Sequence, residues 1–204
     1  KTTLVSLVPR FYDVTEGSVS IDGVDVRSVK QKALRDLIGF VPQKASLFSG
    51  TVESNLRYAR DEAGSEDLDR ALEIAQAKEF VRALPGGISA PVSQGGMNFS
   101  GGQRQRLTIA RALMKKGPVF IFDDSFSALD FTTDKKLRAA LTEKLADSTV
   151  ILVTQRVATI KGADQIIVLD EGKMVGKGRH AELMETCEVY RDIALSQLSA
   201  EELV

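Results

Sequence analysis

Short apolar runs restrict the possible folds of this sequence more than any other feature. Each run is rich in β-branched or aromatic residues and is bounded by charged or turn residues. The runs occupy residues 119–122, 150–153, 166–169 and, more weakly, 38–41. Continuous runs of this kind predict strands that are buried on both faces, as in a parallel sheet. Helical patterns lie between them, at residues 29–37, 103–114 and 130–145. Strands that alternate with helices predict an α/β fold.

The region between the apolar runs at residues 38–41 and 119–122 has a different pattern. Its helical segments follow one another without a strong strand, at residues 52–58, 66–77 and 103–114. We therefore expect residues 45–114 to form a helical subdomain inserted into an α/β core made of residues 1–44 and 115–204.

The C-terminal part contains a turn signal and a charged helical stretch. Asp170-Glu171-Gly172 predicts a turn between two antiparallel strands. The stretch from Ala181 onward predicts helix, with Cys187 buried inside it. His180 is the only histidine, and because it lies at the predicted start of that helix we assign it a structural role.

Composition narrows the class of protein. Lys and Arg number 27 against 28 Asp and Glu, for a net charge of −1, which argues against a broad nucleic-acid interface. One cysteine allows no disulfide within the chain, which suits a reducing compartment. No apolar run approaches the roughly 18 residues of a membrane helix, and no signal peptide is visible. The first residue is Lys1 rather than Met, so we expect a fragment, and any membrane segment would have to lie upstream of it.

Two carboxylates follow the apolar run of residues 119–122. Asp123 and Asp124 lie where a parallel sheet places its ligands, at the carboxyl end of a strand. One carboxylate can hold Mg²⁺, and the next can orient an attacking water. The alternative interpretation is that the pair caps the strand and begins a turn.

The first residues, Lys1-Thr2-Thr3, precede a helical pattern at residues 4–8. In a phosphate-binding loop, a lysine reaches the β- and γ-phosphates and the next hydroxyl ligates Mg²⁺. Alone, the pattern favours an ordinary frayed chain terminus over a phosphate-binding loop. It becomes informative because later motifs supply the rest of a nucleotide site.

The strongest signal is Ser100-Gly101-Gly102-Gln103. Ser100 is suited to be a helix N-cap, and the two glycines leave backbone N–H groups open to an anion. Three arginines follow on the same helix, and for most of them we expect a solvated face. They are Arg104, Arg106 and Arg111.

Together these motifs resemble those of the ABC ATPases. Ser100-Gly101-Gly102-Gln103 is similar to the family's signature motif, Lys1-Thr2 to the end of its Walker A motif, and residues 119–123 to its Walker B motif. Gln43 is similar to the Q-loop glutamine, and Ser127-Ala128-Leu129-Asp130 to the D-loop. The five motifs occur in the family's order along the whole chain. Residues 43–55 and 92–103 most resemble the exporter branch, in particular one subunit of heterodimeric bacterial multidrug exporters.

The resemblance implies a P-loop NTPase core with a mostly parallel sheet, an ABC-type helical subdomain, and bound ATP and Mg²⁺. Lys1 would hold the phosphates, with Thr2 and Thr3 beside it. Thr2, Gln43 and Asp123 would serve Mg²⁺ or its waters.

The family also implies partners. The signature residues, Ser100 to Gln103, would close over the ATP of a second ABC nucleotide-binding domain, with Asp130 near the seam. Gln43 and the segment after it would sense a transmembrane domain upstream on the same chain, at the cytoplasmic face of the cell membrane. No nucleic acid is implied.

Two residues depart from the family's pattern. Asp124 replaces the usual catalytic glutamate, and its carboxylate would fall roughly 1–1.5 Å short of an aligned water. Gln155 replaces the usual switch histidine and cannot become a cation. Both changes affect the site built on Lys1, so we expect this site to hydrolyse ATP weakly while the intact signature completes a partner's site. The alternative is a slow homodimer.

Two other functions remain possible at this stage. A soluble ABC ATPase acting on nucleic acid or ribosomes is disfavoured, because the chain has no long heptad run and lacks the catalytic glutamate. A regulatory nucleotide-binding module is compatible with Asp124 and Gln155. The family's strand before Lys1, its loop glycines and its adenine-stacking aromatic are absent from the sequence. Because the missing strand would leave apolar faces and sheet edges exposed, we expect the isolated chain to be marginally stable and to bind ATP weakly.

Overall fold

The computed structural model describes residues 1–198, which fall into two compact units. One unit is Thr2–Ile151, and the other is Lys1 together with the chain from Leu152 onward. The helices of the first unit are α1 (Thr2–Ser6), α2 (Gln31–Asp36), α3 (Val52–Arg57), α4 (Ser65–Ile74), α5 (Lys78–Ala83), α6 (Gly101–Leu113) and α7 (Phe131–Lys144). Its strands are β1 (Ser20–Ile21), β2 (Val24–Asp25), β3 (Ile38–Val41), β4 (Gly50–Thr51), β5 (Pro91–Val92), β6 (Val119–Asp123) and the start of β7 (Thr149–Val153).

The sheet that positions the site has the strand order β3-β6-β7. Strands β3 and β6 are parallel, with Val41 opposite Phe122. Every residue of β6 is buried, which confirms the predicted buried strand and the α/β class. Gly39 of β3 is required by this packing, because a Cβ at that position would overlap the ring of Phe120.

Helices α3 to α6 lie between β3 and β6 in the chain, as the sequence pattern predicted. In the described part of this region the strands are only β4 and β5, two residues each, which pair with each other. Helix α6 packs on α3, α4 and β3 and buries Leu107, Ile109 and Leu113. That residues 45–114 form a separate subdomain stays a prediction.

The second unit contains α8 (Val157–Ile160), β8 (Ile166–Asp170), β9 (Lys173–Gly178), α9 (His180–Thr186) and α10 (Glu188–Gln197). Strands β8 and β9 pair antiparallel around Glu171 and Gly172, which both have positive φ, so the predicted turn is confirmed. The helical prediction from Ala181 onward is confirmed up to Gln197, and residues 199–204 lie outside the described residues.

Two of the apolar runs are not buried on both faces, so that prediction is wrong for them. In β7, Val150 is 38% exposed, and in β8, Ile167 is 49% exposed while Ile166 and Val168 are buried. The reason for β8 is its antiparallel pairing, because a hairpin covers the core with one face only.

The sequence gives rise to predictions for two residues of this unit, Cys187 and His180. Cys187 is buried but lies between α9 and α10 rather than inside a helix, which corrects the prediction. His180 is the first residue of α9, and its Nδ1 lies 2.9 Å from the Tyr190 hydroxyl, so its structural role is supported. Burial, with a smaller contribution from Lys161, lowers the pKa of His180. None of the described helices is long and apolar enough to cross a membrane.

Candidate functional site

The contact that defines the site joins the start of α1 to the end of β6. The Thr2 hydroxyl donates to Asp123 Oδ1 over 3.1 Å, although the two residues are 121 positions apart. Asp123 is 2% exposed, whereas Thr2 and its neighbour Thr3 lie in the exposed part of α1. A hydroxyl and a carboxylate predicted to serve the same cation are therefore adjacent.

The turn after β6 is held by two serines. Asp124 has a φ of 46°, a left-handed conformation that aspartate tolerates better than most residues. Its carbonyl oxygen accepts a hydrogen bond from the Ser127 hydroxyl at 3.0 Å. The fully buried Ser125 donates to the carbonyl oxygens of Val41, at 3.1 Å, and Asp123, at 3.2 Å. The turn predicted as the alternative interpretation is thus present, in addition to the contact of Asp123 with α1.

Ser125 is a site residue that sequence reasoning missed. Its hydroxyl ties the end of β6 to the end of β3, and Gln43 follows β3 by two residues and is exposed. The available signal was a serine two positions beyond Asp123, where the carboxyl ends of two adjacent strands meet.

Ser100 is the N-cap of α6, as predicted. Its hydroxyl oxygen accepts from the Gln103 N–H at 3.3 Å, and Gln103 Oε1 accepts from the Ser100 N–H at 3.0 Å, which completes a capping box. A Cβ placed on Gly101 would meet nothing within 4 Å, so this position is open. A Cβ on Gly102 would lie 3.4 Å from the Ala128 carbonyl oxygen, so the signature residues pack beside the segment that leads to Asp130.

Asp130 is exposed and caps α7. Its carboxylate accepts from the Thr133 N–H at 3.0 Å, and the hydrogen bonds from Thr133 lower the pKa of Asp130. These hydrogen bonds to the carboxylate therefore favour the charged form of Asp130.

The three arginines of α6 do not form a solvated face, so that prediction is wrong. Each is partly buried and donates to a backbone carbonyl oxygen. The partners are Phe99 for Arg104 at 2.6 Å, Gln76 for Arg106 at 2.6 Å and Ser46 for Arg111 at 2.9 Å. Arg106 also lies over the Phe80 ring and Arg111 over the Phe48 ring. Guanidinium groups suit this use, because they remain charged while covering apolar surface.

Lys1 and Gln155 belong to the second unit. The exposed Lys1 ammonium donates to the Thr154 carbonyl oxygen over 3.3 Å. The adjacent Gln155 is exposed, and its own carbonyl oxygen accepts from Gln197 Nε2 at 2.7 Å. The structure thus brings Lys1 next to the loop that carries Gln155.

The donor atoms at the end of β6 fit a hard divalent cation. Within the described residues there is no group of three His, Cys, Asp or Glu side chains that could form an all-protein metal cage. Thr2 and Asp123 instead offer one hydroxyl and one carboxylate. Such a pair suits Mg²⁺, which keeps waters and phosphate oxygens as its other ligands.

Comparisons with known proteins agree with these motifs. Residues 1–127 match the family model described as ABC transporter. An ABC transporter ATP-binding protein of Mycobacterium tuberculosis is 50% identical over 200 residues, covering 97% of this chain and 34% of that protein. The ATP-dependent lipid A-core flippase of Vibrio vulnificus is 42% identical over 194 residues, covering 95% of this chain and 33% of that protein.

A solved structure gives the same result. A bacterial Atm1-family ABC exporter with ATP bound matches with a TM-score of 0.93 and 36% identity, covering 96% of this chain and 35% of that one. The chain spans about a third of the length of the relatives it matches.

Proposed function

The chain belongs to the ABC transporter family as an ABC-type ATPase domain, and from this premise we propose that it powers export of a substrate across a membrane. The observation that carries the proposal is the contact between Thr2 and Asp123. It supports a site at the carboxyl end of β6 that binds ATP together with Mg²⁺.

Each candidate residue of the site has a proposed role. Lys1 holds the β- and γ-phosphates, with Thr3 next to the hydroxyl that serves the cation. Thr2 and Asp123 hold Mg²⁺, and Gln43 serves one of its waters. When bound, Mg²⁺ would neutralise part of the negative charge of the phosphates. Asp124 orients the attacking water.

The signature residues act on a second domain. Ser100 and Gln103 satisfy each other through the capping box, while the open position of Gly101 leaves the start of α6 accessible. Helix N-termini favour phosphate oxygens. We infer that this start closes over ATP held by a second nucleotide-binding domain, with Asp130 near the seam between the domains.

The chain's own site is proposed to hydrolyse ATP weakly. Asp124 is one methylene shorter than glutamate, and a misplacement of about 1 Å can cost on the order of 100-fold in rate. Gln155 can donate a hydrogen bond to the γ-phosphate but supplies no positive charge. Both departures favour a heterodimer in which the partner's site performs most of the hydrolysis. A slow homodimer is the competing assembly.

An exposed aromatic surface is the proposed contact with the transmembrane domain. Phe48 and Tyr58 have ring centroids 4.5 Å apart and are 48% and 72% exposed. Asn55 holds the Phe48 backbone through two hydrogen bonds of 2.8 Å, and Arg111 lies over the Phe48 ring. A fixed apolar surface a few residues beyond Gln43 suits contact with a membrane-embedded part of the same protein, at the cytoplasmic face of the cell membrane.

The other two functions have less support. A soluble ATPase acting on nucleic acid or ribosomes would gain from a basic face, and the net charge is −1. A regulatory module is consistent with Asp124 and Gln155, but it leaves the open signature at Gly101 without a purpose.

The test is ATP turnover by the full-length transporter with two substitutions. Gly101→Asp should abolish most turnover, because an added carboxylate would repel a phosphate, while its Cβ would meet no atom of this chain within 4 Å. Asp124→Ala should change turnover little. Gly64→Asp is the matched control, because a Cβ there also meets nothing within 4 Å and the residue caps α4. Turnover that collapses with Asp124→Ala would overturn the weak-site proposal.

A further inference from the structure

The side chain of Gln197 joins the last turn of α10 to the loop that follows β7. Its Oε1 accepts from the Val157 N–H at 2.9 Å, and its Nε2 donates to the Gln155 carbonyl oxygen at 2.7 Å. A primary amide has both a donor and an acceptor, so one side chain can pair with two backbone groups of the same loop.

The two bonds involve backbone groups at the start of α8 and in the loop before it. Val157 begins α8, so its N–H is among the first helical donors, which have no partner inside the helix. The N-cap residue, Arg156, makes no side-chain capping bond to α8. The Thr154 hydroxyl oxygen accepts from the Arg156 N–H at 2.9 Å, so the backbone is held on both sides of Gln155.

Helix α10 is a firm support for this contact. Tyr190, Ala194 and Leu198 are buried in one apolar cluster that also contains Val157. Gln197 therefore lies next to the buried Leu198, and the loop it contacts is packed against the same cluster. Packing and two hydrogen bonds therefore hold the backbone of Gln155 in place relative to α10.

We propose that Gln197 is a positioning residue for the nucleotide site and acts through Gln155. By fixing the Gln155 carbonyl and the Val157 N–H, it restricts the directions in which the exposed Gln155 side chain can extend. The inference rests on the proposed function, in which Gln155 donates to the γ-phosphate of ATP. ADP has no γ-phosphate, so Gln197 should contribute to the preference for ATP over ADP.

The experiment measures ATP and ADP affinities in the full-length protein by competition with a fluorescent ATP analogue. The signal from this chain's own site is the part that Lys1→Ala removes. The variants are Gln197→Ala, Gln155→Ala and the double substitution. Ser196→Ala is the matched control, because among the described residues the hydrogen bond of the Ser196 hydroxyl stays within α10, to the Ile193 carbonyl oxygen.

Gln197→Ala should reduce the ATP-over-ADP preference about fivefold to tenfold, the effect of losing two ordinary hydrogen bonds. ADP affinity should stay within about twofold, and Ser196→Ala should match the wild type. Gln155→Ala should show a similar loss, and the double substitution should add little to either single one, because the two residues act in series.

The outcomes separate the inference from the function on which it rests. If Gln155→Ala lowers the preference and Gln197→Ala does not, the positioning role is wrong and the proposed role of Gln155 stands. If Gln197→Ala weakens ATP and ADP binding equally, Gln197 only stabilises the fold and the inference is overturned. If Gln155→Ala has no effect on the preference, the proposed role of Gln155 fails and the inference fails with it.

Discussion

Replacing Asp124 by glutamate should restore part of the hydrolysis at this chain's own site. The added methylene extends the carboxylate by roughly 1–1.5 Å, and a gap of about 1 Å costs on the order of 100-fold in rate. The gain is reduced because position 124 has a φ of 46°, which glutamate adopts less readily than aspartate. A cost of about 1 kcal/mol lowers the relative population of the present turn conformation roughly fivefold. The expected net rise is therefore about tenfold to twentyfold.

The assay needs a background in which the other composite site is silent. In a heterodimer, Gly101→Asp would remove this chain's signature from the partner's site, so the residual turnover would come from this chain's own proposed site. Asp124→Glu in that background should raise the residual rate, and Asp124→Asn, which keeps the shape but not the base, should lower it.

Two results would refute the reasoning. An unchanged residual rate with Asp124→Glu would mean that the length of this side chain does not limit hydrolysis. Complete loss of turnover in the Gly101→Asp background, in every variant, would indicate an assembly of two identical copies, since both sites would then lack a working signature.

The remaining predictions concern stability and are checked by thermal unfolding of the full-length protein. Gly39→Ala should destabilise it by about 1–3 kcal/mol, because the new methyl group overlaps the Phe120 ring. Gly101→Ala, in open space, should change stability by less than about 0.5 kcal/mol. Hydrogen bonds from Lys32 and a second lysine hold the pKa of Asp36 at about 2, below its ordinary value of 3.8. The stabilisation is therefore complete above pH 4 and is lost as the pH falls through about 2, so Asp36→Asn should flatten the acid side of the stability curve.

The strands and helices that the sequence predicted correctly are those whose pattern has a single explanation. Strand β6 is a continuous apolar run buried on every residue. The same kind of run predicted burial on both faces for β8. That prediction is wrong, because Ile167 is apolar yet 49% exposed on the outer face of a hairpin. A run of four apolar residues does not distinguish a strand covered on both faces from an alternating strand with an apolar exposed residue.

Motifs in the sequence indicate candidate site residues, but they do not predict the contacts that hold these residues. Thr2 and Asp123 are 121 positions apart in the sequence, so no local pattern predicts the hydrogen bond between them. Arg104, Arg106 and Arg111 donate to backbone carbonyl oxygens, and a carbonyl oxygen is present at every position whatever the residue type. The sequence therefore does not identify the partners of these arginines, and the charged pattern alone predicts a solvated face.

The two departures from the family's pattern lie on backbone that is held in place by specific bonds. Asp124 lies in a left-handed turn fastened by the Ser125 and Ser127 hydroxyls. Gln155 lies in a separate loop fastened by the Gln197 amide. These bonds are made to backbone carbonyl oxygens, so they do not depend on which side chain stands at position 124 or 155. This agrees with the proposal that ATP binding persists while hydrolysis is slow, because an exchange of either side chain leaves the backbone of its loop held in place.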